Sequence, residues 1–222
     1  MTHKILAPGI VEFTNVIKNT ESLINKIETL DSNIIKNKGY TSLESWKPWI
    51  YKYDNPDTPT LCSYKIIPSL NELNRHDIFY NDQLEITKIF EDAIKYSVDE
   101  YCKIYSNLSK SLKSQERFAK LLKYSSGSMM PEHSDNGYTS RILSLIVYLN
   151  DDYHGGELIF KNFDLNIKPN AGSVLCFPSA FVYLHEVKKI TNGIRYSYPV
   201  WFHSKQKQDL PINEKLIKND FV

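Results

Sequence analysis

The chain has 222 residues, 41% of them hydrophobic, and a formal net charge of +1. That supplies enough apolar material for a sizeable core, while the near-zero charge carries no electrostatic footprint for nucleic acid or an anionic membrane. Three cysteines, Cys62, Cys102 and Cys176, are an odd number without CxxC spacing, so neither a disulfide framework nor a zinc ribbon is indicated.

In chain order, the opening MTHKILAPGIVEF lacks the basic patch and long apolar run of a secretory signal. No stretch approaches a membrane span, so the expectation is a cytoplasmic protein without a membrane partner. From about residue 13 to 30, Phe13, Val16, Ile17, Leu23, Ile24, Ile27 and Leu30 recur near helical spacing and predict one amphipathic helix. Residues 38 to 80 read as irregular, with Pro48, Pro56, Pro59 and Pro68 and a crowd of Trp46, Trp49, Tyr51 and Tyr53. A longer helical pattern covers 82 to 112. From 118 onward the period shortens. Strands are predicted at Arg141 to Leu149, Glu157 to Asn162, Ser173 to Phe177, Val182 to Val187 and Arg195 to Phe202, separated by Asn, Asp, Gly and Pro turns.

This organisation predicts a single domain over 1–222. It comprises a helical, partly irregular support region (1–117), a strand-rich core (118–204) and a C-terminal tail (205–222). Short strands after a helical half suggest an antiparallel sandwich or barrel braced by helices.

The chemistry concentrates in His133, Asp135, His185 and Arg195. Residues i and i+2 of an extended segment share a face, so His133 and Asp135 can both point inward. Two imidazoles and one carboxylate on one face of an octahedral iron leave the opposite face open, unlike a closed structural metal site. Arg195 lies ten residues after His185, and its guanidinium can take a carboxylate by two parallel hydrogen bonds. Each residue has a plainer reading. His133 also fits a turn residue after Pro131, His185 a half-buried strand histidine, and Arg195 a surface ion pair. His3, His76, His154 and His203 have no ligand-like company.

The run from Leu121 to Phe202 resembles the 2-oxoglutarate- and Fe(II)-dependent dioxygenases, in their prolyl-hydroxylase-like branch. The matching pieces are Tyr124, the His133-x-Asp135 pair, Arg141 leading to Tyr148-Leu149-Asn150, and Gly155-Gly156-Glu157 before Phe160. Pro169, Gly172, His185-Glu186, Gly193-Ile194-Arg195-Tyr196 and Trp201 follow. The resemblance implies an α+β chain with a mainly β core, a double-stranded β-helix (jelly roll) braced by N-terminal helices. It implies His133, Asp135 and His185 as iron ligands. The distal carboxylate of 2-oxoglutarate would fall to Arg195, with Tyr148 and Ser197 as further donors, and Tyr124 would lie near the keto-acid end. Core packing is the plainer reading for Tyr148 and Tyr124. Trp201 would pack beside the metal, and Gly155-Gly156 would mark a tight turn or close backbone approach.

The implied cofactors are Fe(II), 2-oxoglutarate as co-substrate and O₂, with ascorbate as a possible reductant. The implied reaction is hydroxylation of an amino-acid side chain, first of all a prolyl residue in a peptide or protein, with release of succinate and CO₂. Asp135 favours hydroxylation, because related halogenating enzymes lack a carboxylate there. Glu157 and Glu186 are not expected to act as general bases. A nucleic-acid demethylase is disfavoured, since that branch carries an arginine where this chain has Trp201. The alternatives are a non-catalytic jelly-roll metal- or ligand-binding module and an oxygenase acting on a free small molecule. The segment from Glu44 to Tyr53 reads either as a lid over the barrel mouth or as packing between the two halves. The oligomeric state is unknown from sequence.

Overall fold

The computed structural model describes residues 1–36, 44–51, 60–115, 120–136 and 140–205. A hairpin of β1 (Thr2–Ala7) and β2 (Ile10–Thr14) leads into α1 (Thr20–Lys36). β3 (Lys47–Tyr51), β4 (Thr60–Ile66), α2 (Tyr80–Ile104), α3 (Leu108–Ser111) and β5 (Leu112–Gln115) follow. Then come β6 (Lys120–Tyr124), β7 (Met130–His133), β8 (Arg141–Tyr148), β9 (His154–Gly155) and β10 (Leu158–Phe160). The remaining strands are β11 (Leu165–Ile167), β12 (Val174–Pro178), β13 (His185–Val187), β14 (Ile190–Asn192) and β15 (Arg195–Ser204). Among the described residues the larger sheet runs β1-β2-β12-β8-β15-β6-β4-β3, with β5 also on β15. A smaller sheet runs β11-β10-β13-β7, and β9 pairs β14. This is the expected jelly roll, mainly β, with helices against the larger sheet.

Successive strand residues point to opposite faces, and the central strands use this to serve two cores. Leu143, Leu145 and Val147 of β8, Val174 and Cys176 of β12, and Tyr196, Tyr198 and Val200 of β15 pack toward the helices. Their alternates Ile146, Tyr148, Leu175 and Phe177 pack into the barrel. The helices answer with stripes: Leu23, Ile27, Leu30 and Ile34 from α1, and Ile86, Phe90, Ala93, Ile94 and Tyr101 from α2. Phe90 lies on Tyr198 at 4.3 Å between ring centroids.

The first helix starts later than its apolar spacing predicts. Phe13 belongs to β2, paired with Val174, and α1 begins at Thr20. Asn15 and Asn19 adopt left-handed backbone angles, φ 56° and 54°, which no helix interior tolerates and asparagine accepts better than most residues. Between them the Val16 and Ile17 amides donate to the Gly172 carbonyl at 2.9 and 3.0 Å. A Cβ on Gly172 would lie 2.1 Å from the Ile17 carbonyl oxygen, so only glycine permits this approach.

Two further expectations need correction. The second long helix ends at Ile104, short of residue 112; the Tyr101 hydroxyl donates to the Gly9 carbonyl and Tyr105 accepts from the Gly9 amide. The region read as helical and irregular supplies β1 to β5, because its strands add to the sheet by tertiary pairing. Pro48 is compatible with β3, which lies at the sheet edge, where a missing N–H costs least. Of the stretch from Glu44 to Tyr53, the last two residues lie outside the described residues. Trp46 packs on Tyr196 at 6.3 Å under the Lys123 ammonium at 5.1 Å, which is packing between halves. The three cysteines are free, and burial pushes the Cys62 thiol up to about 12. Among the described residues no helix is long and apolar enough to cross a membrane.

One buried ion pair ties α1 to β4. The Lys65 ammonium lies 2.9 Å from Asp31 Oδ1 and also donates to the Glu44 carbonyl at 2.8 Å, and Asp31 accepts from the Trp46 amide at 3.1 Å. Removing one partner leaves a buried charge uncompensated. Asp31→Ala is expected to cost about 3–5 kcal/mol in urea unfolding, and Asp31→Leu with Lys65→Met together much less.

Candidate metal centre

The register of β13 on β7 sets His185 directly across from His133. Asp135 follows just past the end of β7. Its Oδ1 lies 3.6 Å from His133 Nε2 and its Oδ2 3.8 Å from His185 Nε2. One ligand atom from each residue falls within 4.8 Å of the others, the one such group of three among the described residues. His133 Nδ1 sits 2.8 Å from the Pro131 carbonyl and His185 Nδ1 3.0 Å from the Tyr183 carbonyl. A carbonyl only accepts, so each Nδ1 carries the proton and each Nε2 turns its lone pair to the centre.

The carboxylate is held from behind. Ser144 donates to Asp135, and its hydroxyl lies 2.8 Å from that of Ser179. Arg141 donates to the Asp135 carbonyl at 3.2 Å, while its guanidinium stacks 4.2 Å over Trp201. Burial alone would raise the Asp135 carboxyl, but the two imidazoles and Ser144 outweigh it and hold the group well below the usual range. Burial pushes His185 down to about 4. The same burial acts on His133, where the adjoining Asp135 carboxylate overcomes it and lifts the imidazole above its ordinary value.

Arg195 is 1% exposed, which removes the surface ion-pair reading. β15 places it between strands: Arg195 faces Tyr124 on β6, and Ser197 faces Tyr148 on β8. Its guanidinium sits 4.9 Å from the Tyr124 ring and 5.0 Å from the Tyr148 ring, and donates to Ser197 Oγ at 3.1 Å. The Asn150 side chain accepts from the Tyr196 amide at 2.8 Å and donates to the Ile194 carbonyl at 2.6 Å. It thereby grips the backbone on both sides of Arg195. Among the described residues no carboxylate pairs with Arg195, whereas buried Lys65 has Asp31. Arg195 Nε and the Tyr148 and Tyr153 hydroxyls are buried without hydrogen-bond partners. A cation that cannot lose its proton, walled by orphaned donors, is suited to an incoming anion.

His133, Asp135, His185, Tyr124, Arg195, Ser197 and Trp201 line one cavity of about 60 Å³. That is room for roughly four to six waters, the scale of a small organic acid and far short of a nucleotide. Neutral imidazoles with one carboxylate suit Fe(II), and the unpaired guanidinium suits a carboxylate. The residues present therefore fit an iron with an organic acid beside it. Every site residue singled out from the sequence comes to this cavity or adjoins Arg195.

Residues 119–203 match the 2OG-Fe(II) oxygenase superfamily. Over these residues the chain is similar to that superfamily. It is similar to prolyl 3-hydroxylase 2 of Rattus norvegicus, 40% identical over 70 residues that are 29% of this chain and 10% of that protein. It is also similar to a PKHD-type hydroxylase of Prochlorococcus marinus, 38% identical over 82 residues, 34% of this chain and 36% of that protein. The chain thus spans about a tenth of the length of the prolyl 3-hydroxylases it matches. In fold it is similar to a prolyl hydroxylase from Trichoplax adhaerens solved with a hypoxia-inducible-factor peptide fragment. The TM-score is 0.62 at 17% identity, covering 88% of this chain and 83% of that one.

The structure also brings to this region residues that sequence reasoning missed. Ser144 and Ser179 look like ordinary strand serines until β8 and β12 pair. Tyr153 lies in an Asn-Asp-Asp-Tyr turn that reads as solvent-exposed, yet it is buried. Gly155, read as a close backbone approach, is one: a Cβ there would lie 2.1 Å from the Lys189 carbonyl oxygen.

Protons compete with metal mainly at His133, whose value is raised, and at His185 only near pH 4. Mn(II) affinity of the metal-free protein should be flat above the His133 value and fall about tenfold per pH unit below it. Calorimetric titration from neutral to mildly acidic pH checks this. Ser144→Ala should lower the same affinity about 10- to 100-fold with an unchanged circular dichroism spectrum.

Proposed function

We propose that this chain is a 2-oxoglutarate- and Fe(II)-dependent dioxygenase that hydroxylates a prolyl residue in a peptide or protein. The observation that carries the reading is the sharing of one cavity by the His133–Asp135–His185 group and a buried arginine that has no carboxylate partner among the described residues. In this reading the two Nε2 lone pairs and the Asp135 carboxylate hold Fe(II) on one face. Arg195, Tyr148 and Ser197 receive the distal carboxylate of 2-oxoglutarate, and Tyr124 lies against the same acid. Bound there, iron, 2-oxoglutarate and O₂ supply an oxidation that hydroxylates a C–H bond and releases succinate and CO₂.

The chain's own residues bind, orient and exclude water. Nδ1–H bonds to Pro131 and Tyr183 fix both rings before metal arrives, and Ser144 fixes the carboxylate, so little reorganisation accompanies binding. No side-chain base is required, and Glu186 is engaged outside the cavity with Lys161 at 3.5 Å. The prolyl target is supported by the similarity to prolyl 3-hydroxylases, and hydroxylation more generally by the similarity to a PKHD-type hydroxylase.

The test is succinate release by protein loaded anaerobically with Fe(II), then given 2-oxoglutarate and O₂, with and without proline-containing peptides. Peptide-stimulated succinate is expected, and both His185→Ala and Arg195→Ala should reduce it to background. Arg195→Ala should still bind Fe(II), whereas His185→Ala should not. Failure of the parent protein to bind iron would overturn the reading.

A further inference from the structure

Three tyrosines surround the Arg195 guanidinium, and the reading above assigns only Tyr148 and Tyr124. Tyr153 enters from the turn after β8. It is 1% exposed, and its hydroxyl has no hydrogen-bond partner. That hydroxyl lies close enough to interact with the Arg195 guanidinium and with Tyr148, so Arg195 Nε and two phenols without hydrogen-bond partners gather in one buried cluster. Arg195 links this cluster to the open cavity, which it also lines.

The seat of Tyr153 is built rather than incidental. A Cβ on Gly156 would come 3.0 Å from its ring, and one on Gly193 3.1 Å from its Cα. The two glycines leave the space the tyrosine occupies. From outside, the Lys168 ammonium covers the ring at 4.7 Å and donates to the Tyr153 carbonyl. The side chain is clamped with its polar end inward. A buried hydroxyl without a partner costs stability, and a carboxylate offers about four lone-pair sites. Arg195, Tyr148 and Tyr153 together can fill most of them.

We propose that Tyr153 is a fourth side-chain ligand for the distal carboxylate of the co-substrate, acting with Arg195, Tyr148 and Ser197 to select a dicarboxylic keto acid. This rests on the dioxygenase reading above. The cluster discriminates by the penalty of leaving buried donors unpaired: an acid lacking the second carboxylate satisfies none of them.

The experiment compares the full chain with Tyr153→Phe and Arg195→Gln, each loaded with redox-inert Mn(II). Calorimetry follows binding of 2-oxoglutarate, glutarate and pyruvate, and a thermal melt follows the unliganded proteins. Tyr153→Phe should weaken 2-oxoglutarate and glutarate about tenfold or more, and leave pyruvate and Mn(II) unchanged. Because it deletes an unsatisfied group, it should melt no lower than the parent without ligand and gain less from 2-oxoglutarate. Unchanged 2-oxoglutarate binding, or a lower unliganded melting temperature, would overturn the role of Tyr153 while leaving the dioxygenase reading intact. If Arg195→Gln also bound 2-oxoglutarate like the parent, the carboxylate site itself would fall.

Discussion

β6, β8, β12 and β15 each face two environments, and the alternation of side chains along an extended backbone constrains everything else in this protein. Every residue they send toward the helices is matched by a neighbour sent into the barrel. Apolar burial on the helix side therefore sets the register on both sides. Tyr196, Tyr198 and Val200 pack against α1 and α2, which obliges Arg195, Ser197, Pro199 and Trp201 to face the cavity. A slip of one residue would drive a guanidinium into the helix-facing core and turn three apolar side chains inward. The cost of that error protects the site, although none of the apolar residues involved touches it.

In the interior, polar groups fall into two kinds. Some are completed by the protein itself. Lys65 has Asp31, each ligand histidine has a backbone carbonyl, and Ser144 has both Ser179 and Asp135. Others are left incomplete: Arg195 Nε and the Tyr148 and Tyr153 hydroxyls. They gather about Arg195, which lines the cavity, where low dielectric makes each unmet interaction expensive and each met one strong. The fold thus sets imidazoles and a carboxylate on one side of the cavity and hydrogen-bond donors on the other.

The errors in the sequence reading share a cause. Phe13, Val16 and Ile17 extend the helical spacing of α1, but two left-handed asparagines and a glycine carbonyl more than 150 residues away break it. β3 carries Pro48, neither it nor β4 alternates clearly, and both become strands because β6 offers an open edge. Tyr153 sits in a segment whose composition reads as an exposed turn. Each depends on a partner distant in sequence, and local periodicity carries no information about that partner. β8, β10, β12 and β15 were legible because alternation, turn residues and length agree there, whereas of the strand expected from Val182 to Val187 only His185–Val187 is extended and Phe181–Tyr183 forms a 3-10 turn.

By itself the chain indicated a strand-rich sandwich or barrel braced by helices and singled out His133, Asp135, His185 and Arg195; the jelly roll was implied by the family resemblance. Residue types, strand alternation and turn signals survive in one dimension. Tertiary structure alone decided that Arg195 is buried without a carboxylate partner among the described residues, that both imidazoles present Nε2, and that Ser144 and Asn150 adjoin the cluster. Those properties reside in strand register and in the exclusion of water, and both arise only when segments far apart in the chain are packed together.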